Sequence, residues 1–369
     1  MMPRKGAAGD QAAAGDLAAA VLRRRRARRA LIAALSLALL TVGVVALTVG
    51  AVAIPPATVL RCLFGFLPGP GPAPDPAQMA IIVMLRLPRV ITAAIVGAAL
   101  AVAGAILQAL FRNPLADPYV IGASWGASLG AVAAMVSGVS VSFLGLSAVP
   151  IAAFLGAIAA VLVVYRLARE DGALPVLTML LAGIAVGSML SAAVSLLVYF
   201  ADRRLHQVVF WMMGGLGGAT WAHVAVGLPY LAAALGVAFF YSRELNAMLL
   251  GEETAQQLGV EVERAKRVML AVTALLTAVA VSLGGPIGFV GLVVPHMVRL
   301  GSGADHRQLL PAAALAGAVL LVAADTLART VIAPTELPVG LVTALGGSPF
   351  FIYILRHRRR MRFFAGRGG

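Results

Sequence analysis

One carboxylate lies deep inside an apolar segment of the sequence and is the first candidate for chemistry. Asp325 falls in the charge-poor window 308–328, and an acidic side chain inside a membrane-spanning segment usually marks a proton or ion pathway. Arg329 follows one helical turn later, where its guanidinium can neutralise the carboxylate. Two hypotheses therefore stand for Asp325, a proton relay and a neutralised ion pair, and the neighbouring arginine favours the pair.

The other residue types that carry chemistry indicate neither catalysis nor metal binding. The five histidines have no metal-ligand spacing: they are His206, His223, His296, His306 and His357. No GxxxxGK[ST] sequence for holding nucleotide phosphates occurs. Cys62 is the only cysteine, so no disulfide can form within the chain. We therefore predict that the chain is not an enzyme and has no catalytic residue, no cofactor and no metal site.

The composition is that of an integral membrane protein. Hydrophobic residues make up 61% of the 369 residues and charged residues only 12%, against about 25% charged residues in soluble domains. The mean hydropathy is +0.95. The net charge of +14 could suit a nucleic-acid binder, but the positive charges flank apolar segments without interleaved aromatic residues. We therefore predict a lipid bilayer as the environment and no nucleic-acid partner.

Charge-poor windows predict an all-α, polytopic membrane protein with about ten transmembrane helices. The windows are 31–53, 90–111, 119–137, 147–165, 174–199, 222–241, 268–284, 288–300, 308–328 and 339–355. The break at 284–286 before the short eighth window indicates a broken helix or a re-entrant segment. For the glycine-rich stretch 203–221 we predict a short helix and loop at one surface, with a buried re-entrant segment as the alternative.

Basic residues set the predicted orientation. With ten crossings, most of the 29 lysines and arginines fall in the two tails and in loops on the same side as the tails. We therefore predict cytoplasmic N- and C-termini, with a basic disordered tail at 1–29, a transmembrane permease domain at 30–357 and a second basic tail at 358–369. The longest soluble segment, 242–267, is then cytoplasmic and contains two short helices around Gly251 and Gly259.

Glycines at regular spacing predict close packing of helices. Gly97 and Gly104 lie close to one face of the helix predicted over 90–111, and Gly122, Gly126 and Gly130 follow at four-residue spacing. Small residues let helix backbones approach each other where lipid supplies no hydrophobic driving force. The sequence therefore predicts a tightly packed bundle on both sides of the polar turn at 112–118.

Six motifs, in the same order and spacing, resemble the FecCD family of membrane permeases. They are RLPR at 86–89, GAILQ at 104–108, NPLADP at 113–118, GPIGFVGLVVPH at 285–296, DHR at 305–307 and ELPVG at 336–340. The likeness covers roughly residues 55–357. These permeases serve type II ABC importers of ferric siderophores, haem and cobalamin, so the resemblance implies transport of a metal chelate. The double glycine at 214–215 resembles the cobalamin permeases.

The resemblance also implies partners and a location. Such a permease pairs with a second copy or a close paralogue, and we predict a homodimer. Two cytoplasmic ABC ATPase subunits and a periplasmic or extracellular substrate-binding protein would complete the importer, since this chain has no nucleotide-binding motif of its own. The expected location is the inner, or plasma, membrane, which the chain crosses several times.

Three arginines resemble the outward-facing arginines with which this family docks its binding protein. They are Arg86, Arg89 and Arg329. A guanidinium can form two parallel hydrogen bonds to a carboxylate, which fixes the register of an acidic partner as well as attracting it. The alternative is that these side chains anchor helix ends at the level of the lipid headgroups.

The segment 251–259 resembles the family's coupling helices, which lie in a cleft of the ATPase. The candidate residues are Glu252, Glu253, Ala255 and Gly259, and a glycine permits the sharp turn between the two short helices. The alternative is an exposed amphipathic connector. We favour coupling because this is the largest cytoplasmic segment of the chain.

Four residues are candidates for lining the transport pathway. Ser188, Ser191, Ser195 and Tyr199 lie close to one face of the helix predicted over 174–199. A weakly polar wall would let a bulky chelate slide, but serine hydroxyls in membrane helices often bond their own backbone carbonyls instead. The rival function is a secondary transporter driven by protons or sodium, for which Asp325 is the only acid well inside a predicted span.

Overall fold

The computed structural model describes residues 6–64, 75–170 and 172–357, and most of them are helical. The α-helices are α1 (Gly6–Thr48), α2 (Pro56–Leu63), α3 (Pro76–Ala80), α4 (Leu87–Leu110), α5 (Ala123–Ser137), α6 (Ala148–Ala168), α7 (Val176–Tyr199), α8 (Leu205–Met212), α9 (Trp221–Phe240), α10 (Ser242–Met248), α11 (Glu252–Gln257), α12 (Val262–Gly284), α13 (Val290–Ser302), α14 (His306–Ala328) and α15 (Val339–His357). A π-helical turn covers Ile81–Arg86, and 3-10 turns cover Pro118–Ile121 and Asp202–Arg204. A short hairpin joins β1 (Ser142–Phe143) to β2 (Leu146–Ser147). The predicted tail at 358–369 lies outside the described residues.

Each of the ten predicted windows overlaps one α-helix, which confirms the all-α membrane fold. Seven of the described helices are long and apolar enough to cross a membrane: Arg26–Thr48 within α1, the continuous helix Pro76–Leu110, α6, α7, α9, α12 and α14. Helices α5 and α15 are apolar but shorter, and α13 has only 13 residues. The number of ten crossings therefore remains a prediction, as does the cytoplasmic position of both termini.

Two helix boundaries differ from the sequence prediction. Helix α1 begins at Gly6, inside the tail for which we expected disorder, because alanine and arginine are strong helix formers. Helices α3 and α4 form one helix of 35 residues through the π-helical turn. That turn lies directly before Pro88, which has no N–H to donate, so the hydrogen-bond ladder shifts there without breaking. Arg86 and Arg89 consequently lie within this helix rather than before it.

Helix α4 is the centre of the bundle. It contacts α9, α12, α13 and α14. In the most apolar 18-residue stretch of the helix Pro76–Leu110, 89% of the residues are buried. Glycines make this packing possible. A β-carbon at Gly97 would lie 2.2 Å from the carbonyl oxygen of Gly317, and one at Gly104 would lie 1.8 Å from that of Gly291. Any larger side chain at these positions would push the helices apart.

Helices α5 and α6 cross at the predicted glycines. A β-carbon at Gly126 would lie 2.3 Å from the carbonyl oxygen of Gly156, and one at Gly130 would lie 2.0 Å from that of Ala152. Gly122 has a different role, because its φ of 82° lets the chain turn into α5. The predicted close packing is therefore confirmed for Gly126 and Gly130.

Backbone groups of the loop after α8 form hydrogen bonds with the end of α12 and the start of α15. The N–H of Gly215, in the loop after α8, donates to the carbonyl of Gly284 at 2.8 Å, and Gly340 donates to the carbonyl of Gly214 at 3.3 Å. Leu216 in the same loop is buried. One side of the loop therefore packs onto the break between α12 and α13, while Gly215, Gly217 and Gly218 are exposed. The short helix and loop predicted for 203–221 are present, and the choice between a surface position and a re-entrant segment remains a prediction.

Candidate functional site

Polar side chains gather at the two ends of helix α14. We call the end that holds Arg86, Arg89 and Arg329 the arginine end. We call the opposite end, where α14 begins at His306 and the segment 242–267 packs, the coupling end. The predicted docking residues therefore share one end of the bundle, and the predicted coupling residues share the other.

Two of the arginines hold the end of helix α1. Nη1 of Arg86 donates to the carbonyl of Leu47 at 2.6 Å, and its Nη2 donates to the carbonyl of Val52. Nη2 of Arg329 donates to the carbonyl of Ala46. The last carbonyls of a helix have no intrahelical partner and carry its negative dipole end, so cationic donors stabilise them. Both side chains are buried, at 6% exposure.

Arg89 binds two carboxylates at once. Its Nε and Nη2 donate to Asp325 at 3.0 and 2.9 Å, and its Nη1 donates to Glu336 at 2.9 Å. Arg329 is a secondary partner, with its Nε 3.8 Å from Asp325. The Asp325 side chain is 2% exposed, whereas that of Glu336 is 46% exposed. The predicted neutralisation of Asp325 is present, but its main partner is Arg89 on α4 rather than Arg329.

The arginine end therefore forms one ion cluster with three guanidinium groups and two carboxylates. The structure brings all three predicted docking arginines together and gives each of them a partner within the chain. Glu336 was not predicted as a site residue, although it begins the ELPVG motif. The docking role of these arginines remains a prediction.

A buried amide links α4 to α13. The Gln108 side chain receives a hydrogen bond from Nη1 of Arg299 at 3.0 Å and donates to the carbonyl of Leu292 at 3.1 Å. Gln108 is 1% exposed, so both of these partners replace water that it would otherwise bind. The GAILQ motif thus places a small residue, Gly104, and a polar residue, Gln108, one helical turn apart against the same helix. Sequence reasoning quoted the motif but missed this pair.

The segment 242–267 folds as the two predicted short helices, α10 and α11, each followed by a glycine turn. Gly251 and Gly259 have φ values of 115° and 82°, which favour glycine. After α11 the N–H of Val260 donates to Ala255 and that of Gly259 donates to Gln256, the pairing of a Schellman cap. Ala255 is fully buried.

The opposite face of α11 and its turn is exposed. Glu253 and Gly259 are exposed, and the apolar side chains of Leu250 and Leu258 are 67% and 64% exposed. Glu252 faces inward to Lys266 instead, with 2.7 Å between carboxylate oxygen and Nζ. Of the four predicted coupling residues, two therefore face outward and two hold the segment in place.

Helix α10 is attached to the beginning of α14 through Asn246. Its amide Nδ2 donates to Asp305 at 2.8 Å, and its Oδ1 accepts from the backbone N–H of His306 at 2.8 Å. His306 is fully buried. Asp305 also caps α14 by accepting from the N–H of Arg307. The DHR motif at 305–307 thus positions the segment 242–267 against α14, and sequence reasoning missed Asn246.

The NPLADP motif at 113–118 positions a tyrosine against the break between α12 and α13. Asp117 caps the 3-10 turn by accepting from the N–H of Tyr119 at 2.8 Å. The Tyr119 hydroxyl then donates to the carbonyl of Ile287 at 2.9 Å and accepts from its N–H at 2.8 Å. Burial raises the pKa of the Asp117 carboxyl, and the Tyr119 N–H lowers it in part. One side chain therefore satisfies both backbone groups of an unwound residue.

The predicted pathway residues lie along an exposed face of α7. The hydroxyl of Ser188 donates to the carbonyl of Ile184 at 2.9 Å, and that of Ser195 donates to the carbonyl of Ser191 at 2.9 Å. Tyr199 is 82% exposed. Two of the serines thus bond their own helix, as our alternative expected, and the lining role remains a prediction. Among the described residues, no group of three or more His, Cys, Asp or Glu side chains could hold a metal ion.

Several known proteins are similar to this chain in sequence. The model of the FecCD transport family matches residues 37–357. The cobalamin import system permease protein BtuC of Halobacterium salinarum is 50% identical over 285 residues, which cover 77% of this chain and 75% of that protein. The hemin transport system permease protein HmuU of Yersinia pestis is 45% identical over 280 residues, which cover 75% of this chain and 84% of that protein.

A solved structure has the same architecture. It is described as a metal-chelate type ABC transporter in an inward-facing conformation, and its TM-score is 0.78 at 30% sequence identity. The match covers 89% of this chain and 99% of that chain. The sequence match, the shared fold and the six motifs agree, and the chain belongs to the FecCD transport family.

Proposed function

We propose that this chain is the membrane-spanning permease subunit of an ABC importer for a metal chelate. The observation that carries the proposal is the segment 242–267. It presents exposed apolar and acidic side chains at its tip, such as Leu258 and Glu253, while Lys266 and Asn246 attach it to the bundle. A segment that is open to a partner and firmly attached to the membrane helices can transmit a push from ATPase subunits.

The substrate that we propose is a cobalamin. The support is the 50% identity to the cobalamin permease of Halobacterium salinarum. Haem is the second candidate, because the hemin permease of Yersinia pestis is 45% identical. Ferric siderophores, which the sequence resemblance also implied, have no support of this kind from the relatives named above.

The proposed assembly contains two copies of this chain, two ABC ATPase subunits in the cytoplasm and a substrate-binding protein on the outer side of the plasma membrane. In this proposal the second copy packs against the exposed faces of α7 and α15, which carry large apolar side chains, among them Leu181 and Leu345. A particle mass in mild detergent that corresponds to one copy of this chain would refute the homodimer.

The arginine end is the proposed docking surface for the binding protein. Arg89 is the accessible member of the cluster, because its Nη1 pairs with the half-exposed Glu336. An acidic residue of the binding protein would replace Glu336 there, while Arg86 and Arg329 keep the cluster positive. Unchanged affinity of the binding protein for an Arg89→Gln permease would refute this role.

The rival proposal, a proton- or sodium-coupled transporter, has less support. It needs an acid that gains and loses a proton or binds a cation during transport. Asp325 is instead held by the guanidinium of Arg89 at 2.9 Å and is 2% exposed. Uptake experiments separate the two functions.

The test is uptake of radiolabelled cobalamin, haemin and a ferric siderophore into proteoliposomes that contain the permease and its ATPase. The binding protein is added outside and ATP is enclosed inside. We expect cobalamin uptake that requires ATP hydrolysis, is absent with a non-hydrolysable ATP analogue and is unchanged by a protonophore. Uptake that ignores ATP and stops with the protonophore would overturn the proposal, and preferential uptake of haemin would overturn the substrate assignment.

A further inference from the structure

Lys266 is a nearly buried charge at the coupling end. It lies in the first turns of α12, and its side chain is 9% exposed. Its ammonium group is 2.7 Å from a carboxylate oxygen of Glu252 on α11 and 3.0 Å from one of Glu263 on α12. Lys266 also lines a small cavity together with Leu174 and Leu270. A lysine in this position joins α11 to α12 through a charge pair in which the ammonium group is nearly buried and the Glu252 side chain is 35% exposed.

The second carboxylate extends this connection to another loop. Oε2 of Glu263 accepts a hydrogen bond from the backbone N–H of Leu174 at 3.1 Å. Leu174 is buried and lies in the loop between α6 and α7, two residues before α7 begins. The chain of contacts therefore runs from α11 through Lys266 and Glu263 to the start of α7, the helix that carries the predicted pathway residues.

The covalent link between α11 and α12 cannot by itself transmit force in this direction. It passes through Gly259, which is exposed, has a φ of 82° and would have open space around a β-carbon. The two hydrogen bonds of this turn end at Val260 and do not reach α12. The Glu252–Lys266 pair joins the two helices directly, with 2.7 Å between carboxylate oxygen and Nζ.

We propose that Lys266 is a positioning residue that makes α11, the start of α12 and the loop before α7 move as one body. The proposal rests on the function proposed above, in which an ATPase displaces the segment 242–267. Without Lys266, the segment stays attached to α14 through Asn246, so an ATPase can still bind and move it. That movement then fails to reach α7.

The direct test measures how firmly α11 is held against the loop before α7, in the permease without its partner proteins. Spin labels are placed at Leu258→Cys and Ala173→Cys, two exposed positions on the two linked parts, in a Cys62→Ser background. We expect a narrow distance distribution in the parent protein, a distribution about twice as broad in Lys266→Met, and a narrow one again in Lys266→Arg. Arg267→Met is the matched control, since Arg267 is exposed and donates only to the carbonyl of Glu263 in the described contacts. Equal widths in the parent and in Lys266→Met would overturn the proposal.

The functional test measures cobalamin transported per ATP hydrolysed in proteoliposomes. We expect Lys266→Met to keep most of the ATPase rate while the transport ratio falls roughly tenfold, within the usual range of coupling between two sites. A merely structural role would lower ATPase activity and transport together and leave their ratio unchanged, which would overturn the proposal. A parent protein that shows no ATP-dependent uptake would instead refute the proposed function, and the spin-label result would still decide the role of Lys266.

Discussion

The ion cluster at the arginine end makes Asp325→Asn an informative substitution. The change keeps the shape of the side chain and one hydrogen-bond acceptor but removes the negative charge. Arg89 would keep Glu336 as its one carboxylate partner among the described residues. Arg329, which is 6% exposed, would lose its carboxylate neighbour. Removing one partner of a buried ion pair usually costs about 3–5 kcal/mol, because the remaining charge is left uncompensated. Since Arg89 retains a second carboxylate, we expect a loss near the lower limit, about 3 kcal/mol.

The measurement is the free energy of unfolding by denaturant titration in mixed micelles, with helical circular dichroism as the readout. Glu336→Gln is the matched control, because it removes a negative charge from the same arginine at a half-exposed position. Exposed ion pairs contribute about 0–1 kcal/mol, so the control should be nearly as stable as the parent.

Two results would refute the reasoning. If Asp325→Asn unfolds at the same denaturant concentration as the parent, then the carboxylate is not needed to compensate the arginines. If Glu336→Gln is the more damaging substitution, then the cluster is organised around the exposed carboxylate and not the buried one.

Two further predictions concern single side chains. Tyr119→Phe removes the hydroxyl that binds both backbone groups of Ile287, so the free energy of unfolding should fall by about 2 kcal/mol in the same titration. Burial raises the pKa of the Cys62 thiol, so less thiolate is present at neutral pH than in a free cysteine. A maleimide should therefore label Cys62 in the folded protein much more slowly than in the unfolded protein. The labelling rate of the folded protein should continue to increase with pH at values above the pKa of a free thiol.

Each of these predictions has a clear contrary result. Tyr230→Phe is the control for the tyrosine, since Tyr230 is 43% exposed on α9 and its loss should cost less than about 0.5 kcal/mol. Equal stability of the two tyrosine variants would mean that Ile287 does not depend on the hydroxyl. Equal labelling rates for folded and unfolded protein would mean that Cys62 is open to solvent.

The bundle was predictable from the sequence because its signals are local. The ten charge-poor windows each overlap a helix, since a bilayer requires long apolar runs. The four-residue spacing of Gly126 and Gly130 anticipated a close helix crossing, which Gly156 completes. The two short helices of the segment 242–267 were predicted from the glycines at 251 and 259.

The partners of the polar side chains were not predictable in the same way. Arg89 and Asp325 are separated by 236 positions in the chain, and Gln108 and Arg299 by 191. Arg329 was the sequence choice for Asp325 because it is one turn away, but α4 packs on α14 and brings a better-aligned guanidinium. Lys266 was missed because a lysine at the start of a helix is usually exposed to solvent.

The contacts of the loop after α8 could not be predicted for a related reason. Its glycines and its flanking charges are typical of a surface turn. Its hydrogen bonds depend on the break at 284–286 and on the start of α15, which supply the partners for its N–H and carbonyl groups. Neither partner can be identified from the loop's own sequence.

The way in which α1 ends has a consequence for how the protein is made. Its final carbonyls are bonded by Arg86 and Arg329, which lie 39 and 283 positions later than the residues they hold. During synthesis the first helix enters the membrane long before the second of these arginines leaves the ribosome. The first and the fourteenth helices thus close the bundle together, and a nascent chain truncated before Arg329 should leave residues 49–55 open to protease. The end of the first helix is in this sense one of the last parts of the molecule to be completed.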